Sequence, residues 1–183
     1  KFSIINLDAE KARLMEIGIP SPQERIEAIR TFDELCPGMA TLRLRPFIIG
    51  YSEVNNQHLD LIEQCADAGA MSISTEFFCL ENRGTRNKKQ YDKMSEIMGF
   101  DVQKFYVDNS PGQSGYLRLN YKIKQQFVEQ MQQKCVQLST APLYNRDGSE
   151  YFQPIGFLIS DAHWKQLGDT GGCCGLPQAN KFQ

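Results

Sequence analysis

Apolar and polar positions recur along the chain with two different periods, and each change of period marks a new element. "FSIIN", Phe2 to Asn6, reads as a short strand, and a polar loop follows it. In "IPSPQERIEAIRTFDEL", Ile26, Ile29, Phe32 and Leu35 recur at helical spacing. Ser21 is the candidate N-cap of that helix, Pro22 suits its first position, and Glu24 completes a capping box. Pro37 to Met39 turn the chain. "MATLRLRPFII" alternates strictly and predicts a second strand. "NNQHLDLIEQCADAGA" predicts a second helix, with Asn55 or Asn56 to cap it, Leu61, Ile62, Cys65 and Ala66 as its stripe, and Gly69 to end it. Met71 to Phe78 read as a third strand. Strand, helix, strand, helix, strand implies parallel pairing with right-handed crossovers.

The second half is less regular. A short helix is expected from Tyr91 to Gly99 and a longer one from Tyr121 to Val136, with Phe127, Val128, Met131 and Cys135 inward. "VQLSTAPLY" suggests a further strand, and "SDAHWKQLGDTGGCCGLP" a glycine-rich, loop-like tail.

Alternation assigns faces to the strands. Leu42 and Leu44 oppose Arg43 and Arg45, and Met71, Ile73, Thr75 and Phe77 oppose Ser72, Ser74 and Glu76. Phe2 and Ile4 oppose Ser3 and Ile5. Each strand has an apolar face suited to covering helices, and two have a polar opposite face. A doubly wound sheet would be apolar on both faces. Polar residues on one face of successive parallel strands suggest a barrel lumen instead. Buried charge must be paired or must hold a ligand. Arg43, Arg45 and Glu76 therefore form either a network that satisfies itself or a cavity for a charged ligand at the C-terminal strand ends.

Composition narrows this picture. The chain has 183 residues and a formal net charge of −2, which suits one domain and argues against bulk affinity for nucleic acid. Arg83, Arg86, Lys88 and Lys89 make a local basic run, either a patch or a solvated loop. No stretch approaches the roughly 18 apolar residues of a membrane span, and no signal segment opens the chain. Cys36, Cys65 and Cys135 fall at or near helix stripes, as small buried hydrophobes would. A reducing, cytoplasmic setting fits this use of cysteine. The abrupt opening in a strand, without Met, suggests a piece of a longer protein.

"PFIIGYSE" resembles the G-x-I-x-G-x-x-E motif at the fifth strand of radical S-adenosylmethionine (SAM) enzymes. Ile48, Gly50 and Glu53 stand in its places, and Pro46 replaces its first glycine. The upstream "SIINLDAEKARLMEIGIPSPQERIEAIR" is similar to the fourth strand and helix of the branch that includes spore photoproduct lyase and the DNA repair photolyase-like proteins. "GGCCGLP" resembles the ending of some members. The family's C-x3-C-x2-C cluster loop has no counterpart in this sequence.

The resemblance implies an α/β fold. Residues 1–80 would form the C-terminal half of a partial (β/α)6 TIM-like barrel, contributing three parallel strands. Residues 81–183 would form an irregular α+β extension on the same barrel. The missing N-terminal half would be the partner that carries a [4Fe–4S] cluster, and no residue of this chain is expected to ligate metal. Open strand edges would favour homo-oligomers of the isolated piece.

The implied activity is generation of a 5′-deoxyadenosyl radical for hydrogen-atom abstraction, in a DNA lesion lyase-like reaction with nucleic acid as substrate. This chain would supply the SAM bed. Ile48 would pack on the adenine, and Gly50 would admit close backbone approach. Pro46 opens the same turn. Glu53 would either hold that turn or cap the following helix. Arg43 or Arg45 could fork onto the SAM carboxylate. Ser3 and Asn6 could reach methionine or ribose hydroxyls, and the backbone after Glu76 the adenine edge. Ser3, Ser72 and Ser74 could equally fill the lumen.

Cys79, just past the third strand, is either structural or a thiol hydrogen-atom donor. Cys173 and Cys174 could be thiol donors, extra metal ligands or a redox pair. His163 and Trp164 suit packing or an active-site lid. Two other readings stand beside this one: a non-catalytic α/β binding module or degenerate remnant, and an unrelated α/β-barrel enzyme holding an anionic substrate with Arg43 and Arg45.

Overall fold

The computed structural model describes residues 1–85, 87–112 and 115–159. Its frame is a parallel sheet of four strands: β1 (Phe2–Ser3), β2 (Ala40–Phe47), β3 (Ala70–Phe77) and β8 (Gly156–Ile159), in the order β1-β2-β3-β8. β1, β2 and β3 pair in parallel, as the alternating pattern predicts. β8 extends the sheet beyond β3, a strand the pattern did not mark. Four described residues enter its ladder, too few for a visible alternation.

Helices cover one face. Phe2, Leu42, Ile73 and Phe157 stand in register across the sheet, and Leu42 and Ile73 are fully buried. Against that row pack α2 (Pro22–Leu35), α3 (Gln57–Asp67) and α6 (Tyr121–Thr140). Their buried stripes include Ile26 and Ile29 of α2, Leu61, Ile62 and Cys65 of α3, and Val128, Met131 and Cys135 of α6. One hydrophobic core runs from Ile4 to Ile159 and draws on both halves of the chain.

Local chemistry sets the helix ends. Ser21 accepts a bond from the Glu24 amide at 3.2 Å, and the Glu24 carboxylate takes the Ser21 amide at 2.8 Å. That is the expected capping box, with Pro22 at the first position. Gly69, at φ +104°, ends α3, and a Cβ there would strike Asp33.

Several expectations are corrected. Leu35 and Cys36 are exposed, because the last turn of α2 overhangs the sheet rather than covering it. Asn56 stands at the α3 N-cap in a left-handed conformation, and its side chain makes no capping bond. The expected polar loop after β1 contains a helix, α1 (Ala9–Met15), capped by Asp8, which accepts from the Glu10 and Lys11 amides. "VQLST" is the last turn of α6, and only Leu143–Tyr144 of that stretch are extended, as β6 against β7 (Glu150–Tyr151). Ser139 and Thr140 bond back to the carbonyls of Cys135 and Val136, which satisfies their hydroxyls within the helix.

After β3 the chain forms β4 (Leu80–Asn82), α4 (Lys88–Met98), α5 (Val102–Asn109) and β5 (Gly115–Leu117), with β4 and β5 antiparallel. Gly99, at φ +77°, caps α4 near its expected end. α1 and α4 meet over the C-terminal ends of the strands. No helix among the described residues is long and apolar enough to cross a membrane.

Candidate functional site

The sheet's second face carries the polar row that alternation predicts. Ser3, Arg43, Ser74 and Leu158 stand in register on it. Ser3 is exposed, and Arg43 and Ser74 are half-buried, while the opposite row is sealed. Above and below Arg43, the polar groups satisfy one another. Thr41 and Ser72 hydroxyls bond at 2.9 Å, the Ser74 hydroxyl donates to Leu42 O at 3.4 Å, and Arg45 pairs with Glu76. Arg43 differs: its guanidinium forms no ion pair or side-chain hydrogen bond among the described residues. The row therefore divides. Arg45 and Glu76 are a self-satisfied pair, and Arg43 is a half-buried cation flanked by two serines.

The turn after β2 is built from side chain to backbone. The Arg45–Pro46 peptide is cis, and Phe47 ends the strand fully buried. Ile48 O accepts from the Tyr51 and Ser52 amides, and the Ser52 hydroxyl accepts from the Ile48 amide at 3.0 Å. Glu53 Oε1 takes the Gly50 amide at 2.6 Å. Glu53 makes no side-chain cap bond at the short 3-10 turn Val54–Asn56, so of its two expected roles it performs the first. Burial pushes its carboxyl above the usual range, opposed by bonds from the Gly50, Glu53 and Tyr51 backbone.

Asn6 is fully buried and spent on this turn. It donates to Tyr51 O at 2.7 Å and accepts from the Asp8 amide at 2.7 Å. Gln57 Nε2 also donates to Tyr51 O at 2.9 Å, and Gln57 Oε1 accepts from the Leu7 amide. These bonds tie the end of β1 to the end of β2. Ser52 and Gln57 belong to the site's frame, yet no spacing in the sequence singles them out, because each acts on a partner set by the turn's shape.

Ile48 and Gly50 are covered by the chain itself. Ile48 packs with Ile5 and Tyr51 against Met15, Phe78, Met94, Ile97 and Met98. Gly50 stands at φ +87°, and a Cβ on it would lie 2.4 Å from Phe100 Cε1. The close approach that Gly50 permits is thus made by Phe100.

Beyond the turn, Cys79 is half-buried and its thiol lies 3.8 Å from Phe77 O. The neighbouring Tyr106 hydroxyl is buried without a hydrogen-bond partner. Burial, then Cys79 and Glu53, raise it above the usual phenol range. The second oxygen of Glu53 is also buried and unbonded. The fold gathers Glu53, Cys79 and Tyr106 at the C-terminal end of the sheet. Tyr106 was not foreseen, since its helix α5 carries no marked stripe. Cys173, Cys174, His163 and Trp164 lie outside the described residues. Among those residues no three His, Cys, Asp or Glu side chains converge to hold a metal ion.

Comparison with protein-family models, with curated proteins and with solved structures finds no match to this chain. The class it supports directly is a mixed α/β protein with a parallel four-stranded sheet and a polar, half-open face.

Proposed function

We propose that this chain is the SAM-binding portion of a radical SAM enzyme, with its sheet as the second half of a partial TIM-like barrel. The single observation that carries this reading is Arg43. A half-buried guanidinium with no carboxylate partner among the described residues, in the middle of an otherwise satisfied polar row, suits an anionic ligand group. The SAM carboxylate is such a group, and Ser3 and Ser74 on either side offer hydroxyls to its neighbours. The turn of residues 48–53 matches the expected motif in sequence, and its glycine and glutamate are bonded to each other.

In this reading SAM supplies the 5′-deoxyadenosyl group for hydrogen-atom abstraction, with a nucleic acid as substrate. The protein's part is to bind, orient and exclude water. The sequence has no C-x3-C-x2-C loop, so in this reading the cluster would sit on chain outside this sequence. Because Met98 and Phe100 cover Gly50, adenine binding at Ile48 requires that segment to shift.

Calorimetric titration of the chain with SAM tests the reading. Arg43→Ala should weaken binding about tenfold or more, the usual worth of a charged hydrogen bond. Equal affinity in the variant would count against it. With the cluster-bearing remainder present and reduced, absence of 5′-deoxyadenosine would sink the enzyme reading.

A second reading, a binding module for an anionic ligand without radical chemistry, shares Arg43. It is distinguished by anion binding without 5′-deoxyadenosine release.

A further inference from the structure

The antiparallel ribbon β4–β5 is attached to the C-terminal end of β3, at the rim of the candidate site. Its inward face is anchored, since Leu80 and Leu117 face each other in register and are buried in the main core. Its outward face therefore presents fixed side chains to solvent. Tyr116 is 54% exposed, so much of its ring is open to solvent. The Arg83 guanidinium lies 5.8 Å over its ring. Gly115, at φ +79°, leaves the space beside that guanidinium open, for a Cβ there would lie 3.4 Å from Arg83 Nη2. Arg118, two residues beyond Tyr116, is exposed on the same side of the strand. One carboxylate, Glu81, stands opposite Tyr116 in register, and Asn87 Nδ2 donates to it at 2.8 Å.

We infer that this outward face is a docking platform for a single strand of nucleic acid. A base stacks on the Tyr116–Arg83 pair, and Arg83 and Arg118 take the phosphates on either side. An exposed aromatic ring with a stacked guanidinium suits any base, because every base has a π face. Asn82 pairs with Gly115, so Arg83 leaves the ribbon beside Gly115 while Arg118 lies three residues further on the other strand, roughly 10 Å along it, which sets the two cations apart along a chain rather than on one phosphate. With a net charge of −2 the protein has no bulk attraction for nucleic acid, so binding here depends on these local groups. A duplex hides its base faces in the stack, so the platform selects single strands. The inference deepens the proposed function, because it rests on the nucleic-acid substrate named there, but it does not depend on SAM.

Fluorescence anisotropy with a labelled oligothymidylate of about 16 nucleotides tests it, at salt from about 50 to 200 mM. Binding should be saturable and weaker for the matching duplex. Arg83→Ala with Arg118→Ala should weaken it about tenfold and lower the salt slope by roughly 1.4, the share of two phosphates on a single strand. Tyr116→Leu should weaken binding about fivefold or more, while Tyr116→Phe, which keeps the ring, should bind as the parent does. Circular dichroism confirms that each variant is folded before it is counted.

No binding at about 50 mM salt, equal affinity for the duplex, or no effect of Tyr116→Leu would overturn the inference. Heparin competition that is indifferent to Tyr116→Leu would do the same, by making the face a general polyanion surface. SAM titration of the same preparation separates the two proposals. Oligonucleotide binding lost with SAM binding intact rejects the platform alone, and the reverse rejects the SAM bed alone.

Discussion

Gly50 shows how much one residue can carry. It holds a positive φ, and it gives Phe100 the space a side chain would fill. Gly50→Ala meets both costs and should destabilise the fold by about 1–3 kcal/mol, read as a lowered urea midpoint. His58 offers a pH test. It is fully buried between Phe47 and Phe127, with neither ring nitrogen hydrogen-bonded. Burial holds its pKa below the ordinary 6.5, with Gln130 and Asp60 acting against that shift. The unfolded chain therefore binds the proton more readily than the folded one. Stability from this group is present above pH 6.5 and is lost as pH falls toward the folded value. His58→Leu should flatten urea midpoints measured across that window, and an unchanged slope would refute the assignment. Gly50 and Glu53 stood out in the sequence through the resemblance of their spacing to a family motif. Ser52, Gln57 and Tyr106 did not, because their importance comes from neighbours distant in the chain.

At the scale of elements, helix α2 was legible because its start is coded locally. Ser21→Ala removes the hydroxyl that accepts from the Glu24 amide, while the backbone amide of residue 21 can still donate to Glu24, and should cost about 1 kcal/mol in thermal or urea unfolding. An unchanged midpoint would mean that packing alone fixes this start. Helix α1 was hidden because only Ala12 is buried along it, so no stripe forms. Its code lies instead in Asp8 and in a run of strong helix formers, "AEKARLM". The far end of α6 was misread for the opposite reason. Val136 and Thr140 have strand character, but the helix that brings Met131 and Cys135 into the core carries them along. Burial pushes the Cys135 thiol up to about 12, consistent with a packing role rather than reactivity. Met131→Ala should cost about 2–5 kcal/mol, because the side chain is fully enclosed between α6 and the sheet.

At the scale of the whole molecule, the four-stranded sheet ends in β1 on one side and β8 on the other among the described residues. At the outer edge of the two-residue β1 the Ser3 carbonyl already accepts from Arg25 Nη1 at 2.8 Å, which leaves the strand's amide as the group through which the isolated chain would self-associate. Light scattering should show mass rising with concentration, and Ser3→Pro, which removes an amide from that strand, should reduce it. A monomer at all concentrations would count against this edge as the contact. The parallel order of β1, β2 and β3 followed from the sequence, since alternating strands and helices leave few ways to pack. So did the polar row, because alternation alone puts Arg43 and Arg45 on one face. Only tertiary structure separated those two arginines. Arg45 found Glu76 across the sheet and Arg43 found no carboxylate among the described residues, a distinction set by strand register that a linear pattern of charges does not contain.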